Sequence, residues 1–331
     1  MSKRPSRLRP LALWTCLGLG MGPLAAWGAY AGKSHAMNSV HEEDLSSLLR
    51  ATRERNRPYQ APTGDELHLA QVAGRFLFQE CQGHKSEPAE HLLEQAGLTL
   101  LGTQLGGSPA MVVREAPGLR RGSGIYIVRR GPVARERIVQ VPHSFFDKGT
   151  LELGVELAQA AAARALFVNT VHRYQGGRPP LEDEEGRVDA PADLAHQEQT
   201  FFQRFTGAAL AMLPRPQVLQ LHGFADGSVP ECPQALVVVS PGAATAGAGE
   251  AAEVAARLAE LFGRERVLLY PRDTRRLGAQ RNVQGRLIAA DGRASFLHLE
   301  LAHALRTRLL LDGELRRAFF AAVLGTEGVM Q

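Results

Sequence analysis

The stretch Arg137-Ile138-Val139-Gln140-Val141-Pro142-His143-Ser144-Phe145-Phe146-Asp147, continued by KGTLELGVELAQAAAARALFVN over 148–169, decides the fold. Residues 137–141 read as a strand, 150–163 as a helix and 165–169 as a second strand. Strand–helix alternation of this kind implies parallel pairing, with helices covering the sheet. It also leaves Pro142 to Asp147, a polar run with a histidine and an acid, at the end of a strand.

The same alternation continues toward the C-terminus. Residues 194–213 read as a helix, 217–221 and 235–240 as strands, 250–262 as a helix, 267–270 and 294–301 as strands, and 302–322 as a closing helix. Residues 175–191 form a long polar loop, and the Gly/Ala-rich 241–249 a flexible turn. Toward the N-terminus, Leu67, Val72, Phe76 and Phe78 suggest a helix over 65–81. A short helix over 87–97 and β-like runs at 111–114 and 123–129 follow. The fold expected is α/β, a mixed, mostly parallel central sheet flanked by helices. Residues 63–331 form one domain, with 63–130 as an N-terminal extension of the core at 131–331.

Of the 331 residues 44% are hydrophobic and 22% charged, which excludes wholesale disorder. The formal charge of +4 is local: Lys3, Arg4, Arg7 and Arg9 carry it, residues 1–31 hold no acid, and the remainder is neutral. The chain therefore has no net basic field for nucleic acid. Basic residues 2–9, an apolar run over 11–27 and the small-residue sequence Ala29-Tyr30-Ala31 have the three parts of an export signal, with Ser34-His35-Ala36 as a second cleavage candidate. Uncut, residues 11–31 would anchor the chain in a membrane, so the expected location is periplasmic or secreted, free or anchored. Residues 32–62 read as a linker. Cys81 and Cys232 are the cysteines left beyond the signal; outside the cytoplasm they could form one disulfide, and without a C-x-x-C they suit neither a cysteine zinc site nor thioredoxin-type chemistry.

Three strands end in polar residues: His143 with Asp147 after the first, His222-Gly223 after 217–221, and His298-Leu299-Glu300 in the last. In parallel sheets, strand ends of this kind gather at the carboxyl edge. Two histidines and an acid suit a catalytic zinc, so His143, Asp147 and His222 are the candidate ligands of one ion per chain. Glu300 is the candidate general base. It is flanked by leucines and would be costly to bury unpartnered. Alternation places His298 and Glu300 on one face and Leu297, Leu299 and Leu301 on the other. Each candidate has a structural alternative: His143 in a turn, Asp147 as the cap of the helix at 150, and Glu152 or Glu156 as the acid instead. Asn169 and Arg173, in Asn169-Thr170-Val171-His172-Arg173-Tyr174, are candidate substrate-binding residues, the arginine for a carboxylate. An ion pair between Arg173 and the acids at 182–185 is the alternative. Arg286 or Asn282 could line the same cleft, or belong to a solvated basic loop with Arg275, Arg276 and Arg281. There is no G-x-S-x-G elbow and no phosphate-binding loop.

The succession V-P-H-S at 141–144, N-x-x-x-R at 169–173, L-H-G at 221–223 and L-E-L at 299–301 resembles N-formylglutamate amidohydrolase-like proteins. Zinc carboxypeptidases and phage poly-γ-glutamate hydrolases are relatives of that group. The resemblance covers residues 135–310 and leaves 32–130 without a counterpart. It implies a carboxypeptidase- or phosphorylase/hydrolase-like α/β domain holding one zinc. His143 and His222 would be ligands, Glu300 the catalytic carboxylate, and Asn169 with Arg173 the grip on a substrate carboxylate. Where carboxypeptidases carry H-x-x-E, this chain has His143-x-x-x-Asp147. Two functions follow as expectations. One is an exported hydrolase of peptide-like, γ-glutamyl or cell-wall amides; the other is a non-catalytic envelope binding or scaffold module on the same fold.

Overall fold

The computed structural model describes residues 45, 48, 49, 58–84, 89–133, 135–176, 189–243 and 248–325. The expected export signal, the acids at 182–185 and part of the 241–249 turn lie outside the described residues. In chain order the elements are α1 (Gly64–Cys81), α2 (Ala89–Gln95), β1 (Leu98–Leu105), β2 (Ser108–Glu115), β3 (Ile125–Arg129), β4 (Arg137–Val141), α3 (Thr150–Ala160) and β5 (Ala165–Val168). They continue with α4 (Phe201–Met212), β6 (Gln217–Phe224), β7 (Val237–Ser240), α5 (Ala248–Phe262), β8 (Val267–Leu269), α6 (Val283–Asp291), β9 (Ser295–Ala302), α7 (His303–Leu311) and α8 (Gly313–Leu324).

The nine strands form one mixed sheet in the order β1-β2-β3-β5-β4-β6-β9-β7-β8. Its centre, β5-β4-β6-β9, is parallel throughout. On one side β1, β2 and β3 add antiparallel pairings, and on the other β7 runs antiparallel to β9 but parallel to β8. The sheet is thus mixed and helix-flanked as expected, whereas mostly parallel pairing describes the centre alone. Four pairings are antiparallel: β1 with β2, β2 with β3, β3 with β5, and β7 with β9. Of these strands β1 is new relative to the sequence reading, and the two-residue turn Gly106-Gly107, both at positive φ, that joins it to β2 is a hairpin signal.

Alternating side chains divide the core in two. One face packs Val139, Val141, Leu219, Leu221, Leu297, Leu299 and Leu301 under α3, α5, α7 and α8. The other packs Tyr126, Ile138, Phe167, Val218 and Phe296 under α1, α2, α4 and α6. Leu45, Leu48 and Leu49 are helical and buried in the first cluster, so this part of the expected linker is packed core. Their spacing is that of one helix face. Cys81 and Cys232 are free thiols, buried in different clusters, and form no disulfide. No helix among the described residues is long and apolar enough to cross a membrane.

Three helix readings change. Residues 194–199 are turns, and α4 starts at Phe201 because the Thr200 hydroxyl accepts from the Gln203 amide. The polar run at 282–286 opens the helix Val283–Asp291, capped by Asn282 at its start and by left-handed Gly292 at its end. The closing helix is broken at Asp312, whose carboxylate caps α8.

Candidate active site

The carboxyl edge of the parallel strands brings the predicted residues together from separate elements. β6 and β9 pair with His222 opposite Glu300 and Gln220 opposite His298, so these four side chains share the face that carries Val218 and Phe296. After β4 the chain turns once: Phe146 and Asp147 both donate backbone N–H to the His143 carbonyl, at 3.0 and 2.8 Å. That single turn returns Asp147 beneath His143, which is how the four-residue spacing places the acid. The cap alternative for Asp147 fails, because Gly149 begins α3 without a side-chain cap and Thr150 bonds the Asp147 carbonyl, leaving the carboxylate free. Asn169 is fully buried. Its amide donates to the Pro142 carbonyl at 2.7 Å and its oxygen accepts from Val171 N, so it braces the histidine loop instead of reaching toward a cleft.

His143 Nδ1 and His222 Nδ1 are 2.9 Å apart, and Asp147 Oδ2 lies 3.4 and 3.5 Å from them. The other nitrogen of each ring is committed: His143 Nε2 to Asp193 Oδ1 at 2.8 Å, His222 Nε2 to Gln220 Oε1 at 2.9 Å. Both acceptors fix the tautomer that leaves an Nδ1 lone pair facing the cluster. Two such lone pairs across 2.9 Å repel unless a proton or cation lies between them. Asp147 Oδ2 is buried with no hydrogen-bond partner. Around zinc, ligand atoms at about 2.0–2.1 Å in tetrahedral array stand about 3.3 Å from one another. The three measured separations bracket that edge, so the donor set fits one such ion.

The electrostatics set the buried groups of the cluster apart. Burial, reinforced by the charge of His143, pushes His222 down to about 4, keeping it neutral despite Asp147 nearby. Burial also works against protonation of His143, but the nearby Asp147 carboxylate and the bond to Asp193 outweigh it and raise its pKa. Burial favours the neutral form of Asp147, yet the two histidines hold its carboxyl well below the usual range. Glu300 behaves oppositely. Burial and then the charge of Asp147 raise it well above an ordinary carboxylate, against the pull of Arg173 and Arg306. His298 stays neutral through burial, its Nδ1 unpartnered and its Nε2 3.8 Å from Glu300 Oε1.

Arg173 donates Nε to Asp193 Oδ2 at 3.0 Å and Nη2 to the same oxygen, leaving Nη1 directed at the cluster, 3.3 Å from His143 Nδ1. Its guanidinium lies over the Phe146 and Tyr174 rings, at 5.5 and 5.2 Å. Arg286 is elsewhere: it projects from α6 to an exposed ion pair with Glu198. Glu156 likewise pairs on the surface with Arg316.

Asp193 and Gln220 were not singled out in the sequence. Asp193 stands one residue before the stretch read as helix from 194; the Thr200-x-x-Gln203 cap pattern would have moved that start to 201 and left the residues after Asp193 to a loop. Gln220 is the hub of a buried amide network. It accepts from Asn282 Nδ2 at 2.6 Å and donates to Gln140 at 2.9 Å, which in turn donates to Thr206 at 2.9 Å. Asn282 therefore acts behind His222, within the protein. The only available signal was a glutamine in each of two apolar strands, Gln140 and Gln220, which register places side by side. Asp189, Asp193 and His196 make a further acidic cluster, but Arg281 and Arg173 already pair with its carboxylates.

No protein-family model matches the chain, and no curated protein matches it. Solved structures similar to it include the groups named from the motifs. N-formylglutamate amidohydrolase of Ralstonia eutropha JMP134 is 14% identical over 61% of this chain and 96% of that one, with a TM-score of 0.39. A bacteriophage poly-gamma-glutamate hydrolase is 15% identical over 63% and 89%, TM-score 0.38. A putative carboxypeptidase A of Shewanella denitrificans OS-217 is 12% identical over 69% and 62%, TM-score 0.37.

Proposed function

We propose that the protein is a zinc-dependent hydrolase of amide or peptide bonds lying close to a substrate carboxylate. One observation carries the reading: His143 Nδ1, His222 Nδ1 and Asp147 Oδ2 converge while the second nitrogen of each ring is tied to the protein. Zinc held by these three would polarise the scissile carbonyl and bring the pKa of a water near neutrality.

The chain's own groups supply the rest. Glu300, with a pKa raised by burial, takes the proton of the attacking water at a carboxylate oxygen and delivers it to the departing nitrogen. Arg173 Nη1 is the cation that meets an anionic group on the substrate. With Nε and Nη2 engaged by Asp193, it offers a single arm and not a bidentate fork, and its bonds to Asp193 hold it in place. Asp193 and Gln220 keep the imidazoles oriented throughout. The sequence of residues 1–31 supports export, and on that basis the substrates proposed are peptide-like, γ-glutamyl or cell-wall amides met in the periplasm or outside the cell.

The test is the metal content of the purified full chain beside His143→Ala and His222→Ala. About one zinc per chain is expected, lost in both variants. A wild-type chain that takes up no zinc on reloading would overturn the reading.

A further inference from the structure

Arg306, on α7, is only 5% exposed, and among the described residues it forms no ion pair with an acid. Its guanidinium is spent on main-chain carbonyls. Nε donates to Lys148 O at 2.8 Å, and Nη1 to Phe224 O at 3.3 Å and to Leu301 O. Lys148 follows Asp147, Phe224 stands two residues beyond His222, and Leu301 follows Glu300. One planar group therefore ties together the chain just after each of three functional side chains. These arrive from three separate segments: the turn before α3, the end of β6 and the end of β9.

Gly223 makes this possible. A Cβ at that position would fall inside the Arg306 guanidinium, so the glycine after His222 is required by the arginine and not by a turn. An uncompensated buried cation is expensive, and burial does lower the Arg306 pKa; the negative charges of Asp147, Glu300 and Asp226 work the other way. A guanidinium keeps its charge under such conditions and presents its donors in a rigid fork that lysine lacks.

We propose that Arg306 is the positioning residue of the site, setting through the backbone the placement of Asp147, His222 and Glu300 relative to one another. The assignment rests on the zinc-hydrolase reading for what those residues do, but the bracing itself can be measured without metal. The comparison residue is Arg164, equally buried at 2% but paired bidentately with Glu136 beside β5's first residue.

The experiment uses the full chain as wild type, Arg306→Met, Arg306→Lys and Arg164→Met. Zinc affinity is measured by competition with a chromophoric chelator, and backbone hydrogen exchange is followed on the metal-free proteins. Arg306→Met is expected to lose at least about tenfold in zinc affinity and to speed exchange over residues 143–150 and 222–226. Arg306→Lys should recover part of both, and Arg164→Met should melt earlier with both unchanged. The proposal is overturned if folded Arg306→Met keeps wild-type affinity and exchange, if Arg164→Met shows the same losses, or if lysine restores both completely. Should Arg306→Met not fold, the lysine variant decides by the same two readouts. A wild type that binds no zinc removes the functional reading, while the exchange data still decide the bracing.

Discussion

At the amino end of the parallel strands, the buried guanidinium of Arg164 meets both oxygens of Glu136 and the carbonyls of Arg129 and Gly131. At the carboxyl end, Asp147 Oδ2 and His298 Nδ1 are buried without a hydrogen-bond partner, Glu300 is buried with its pKa raised, and Arg306 is held by carbonyls alone. The sheet thus pairs the buried Arg164 with an acid at one end, although Arg129 Nη2 beside it lacks a hydrogen-bond partner, and leaves buried atoms of Asp147 and His298 without hydrogen bonds at the other. Buried polar groups without partners cost stability, so a fold keeps them where something else is gained. Under the proposed function the carboxyl end serves the chemistry and the Arg164–Glu136 pair the stability, and substitutions at each end can break that contrast.

The largest effect belongs to Glu300. Glu300→Gln should lower turnover of a responsive amide by about a thousandfold while zinc content stays at the wild-type level. Comparable turnover in the variant would remove Glu300 as the base. The raised pKa gives the sign of the pH dependence. The base must be ionised, so the acid limb of kcat/KM should lie above the ordinary glutamate value of about 4.3. A group whose folded pKa is raised contributes stability that is full below its unfolded pKa and is lost as pH rises through the folded value. Metal-free Glu300→Gln, always neutral, should therefore melt higher than wild type at pH 8, and a lower melting temperature would contradict the assigned burial cost.

Asp193 comes next. Burial disfavours its charge, but bonds to His143 and His196, with Arg173 alongside, hold its carboxyl far below the usual range. Asp193→Asn should weaken zinc binding about 10- to 100-fold, read by chelator competition, because the amide no longer fixes the His143 tautomer by charge. The smallest effect on the site is expected from the amino end. Glu136→Ala leaves Arg164 buried without its acid and should cost about 3 kcal/mol in denaturant unfolding. Zinc affinity should stay within about twofold of wild type, and a larger loss would show that the two ends are coupled.

Much of this site was legible in the sequence, for local reasons. His143, Asp147, His222 and Glu300 interrupt apolar runs, and strand alternation placed His298 and Glu300 opposite the leucines. The placement of Arg286 and Asn169 was not legible, because a polar residue between elements carries no sign of which way it faces. Arg286 went to the surface and Asn169 to the backbone of the histidine loop. Asp193, 50 residues from His143, and Gln140, 80 residues from Gln220, have no local signature of their partnership.

By itself, then, the sequence determined most element types, the alternation of faces and the identities of the side chains at the strand ends, since these depend on residues within a few positions of one another. The strand order β5-β4-β6-β9 decided which of those ends would meet. Only tertiary contact chose the ring nitrogen each histidine presents, the Asp193 and Gln220 partners behind them and the Arg306 fork across three segments. Those choices are made by hydrogen bonds between distant stretches of chain, whose geometry exists only after the sheet has assembled.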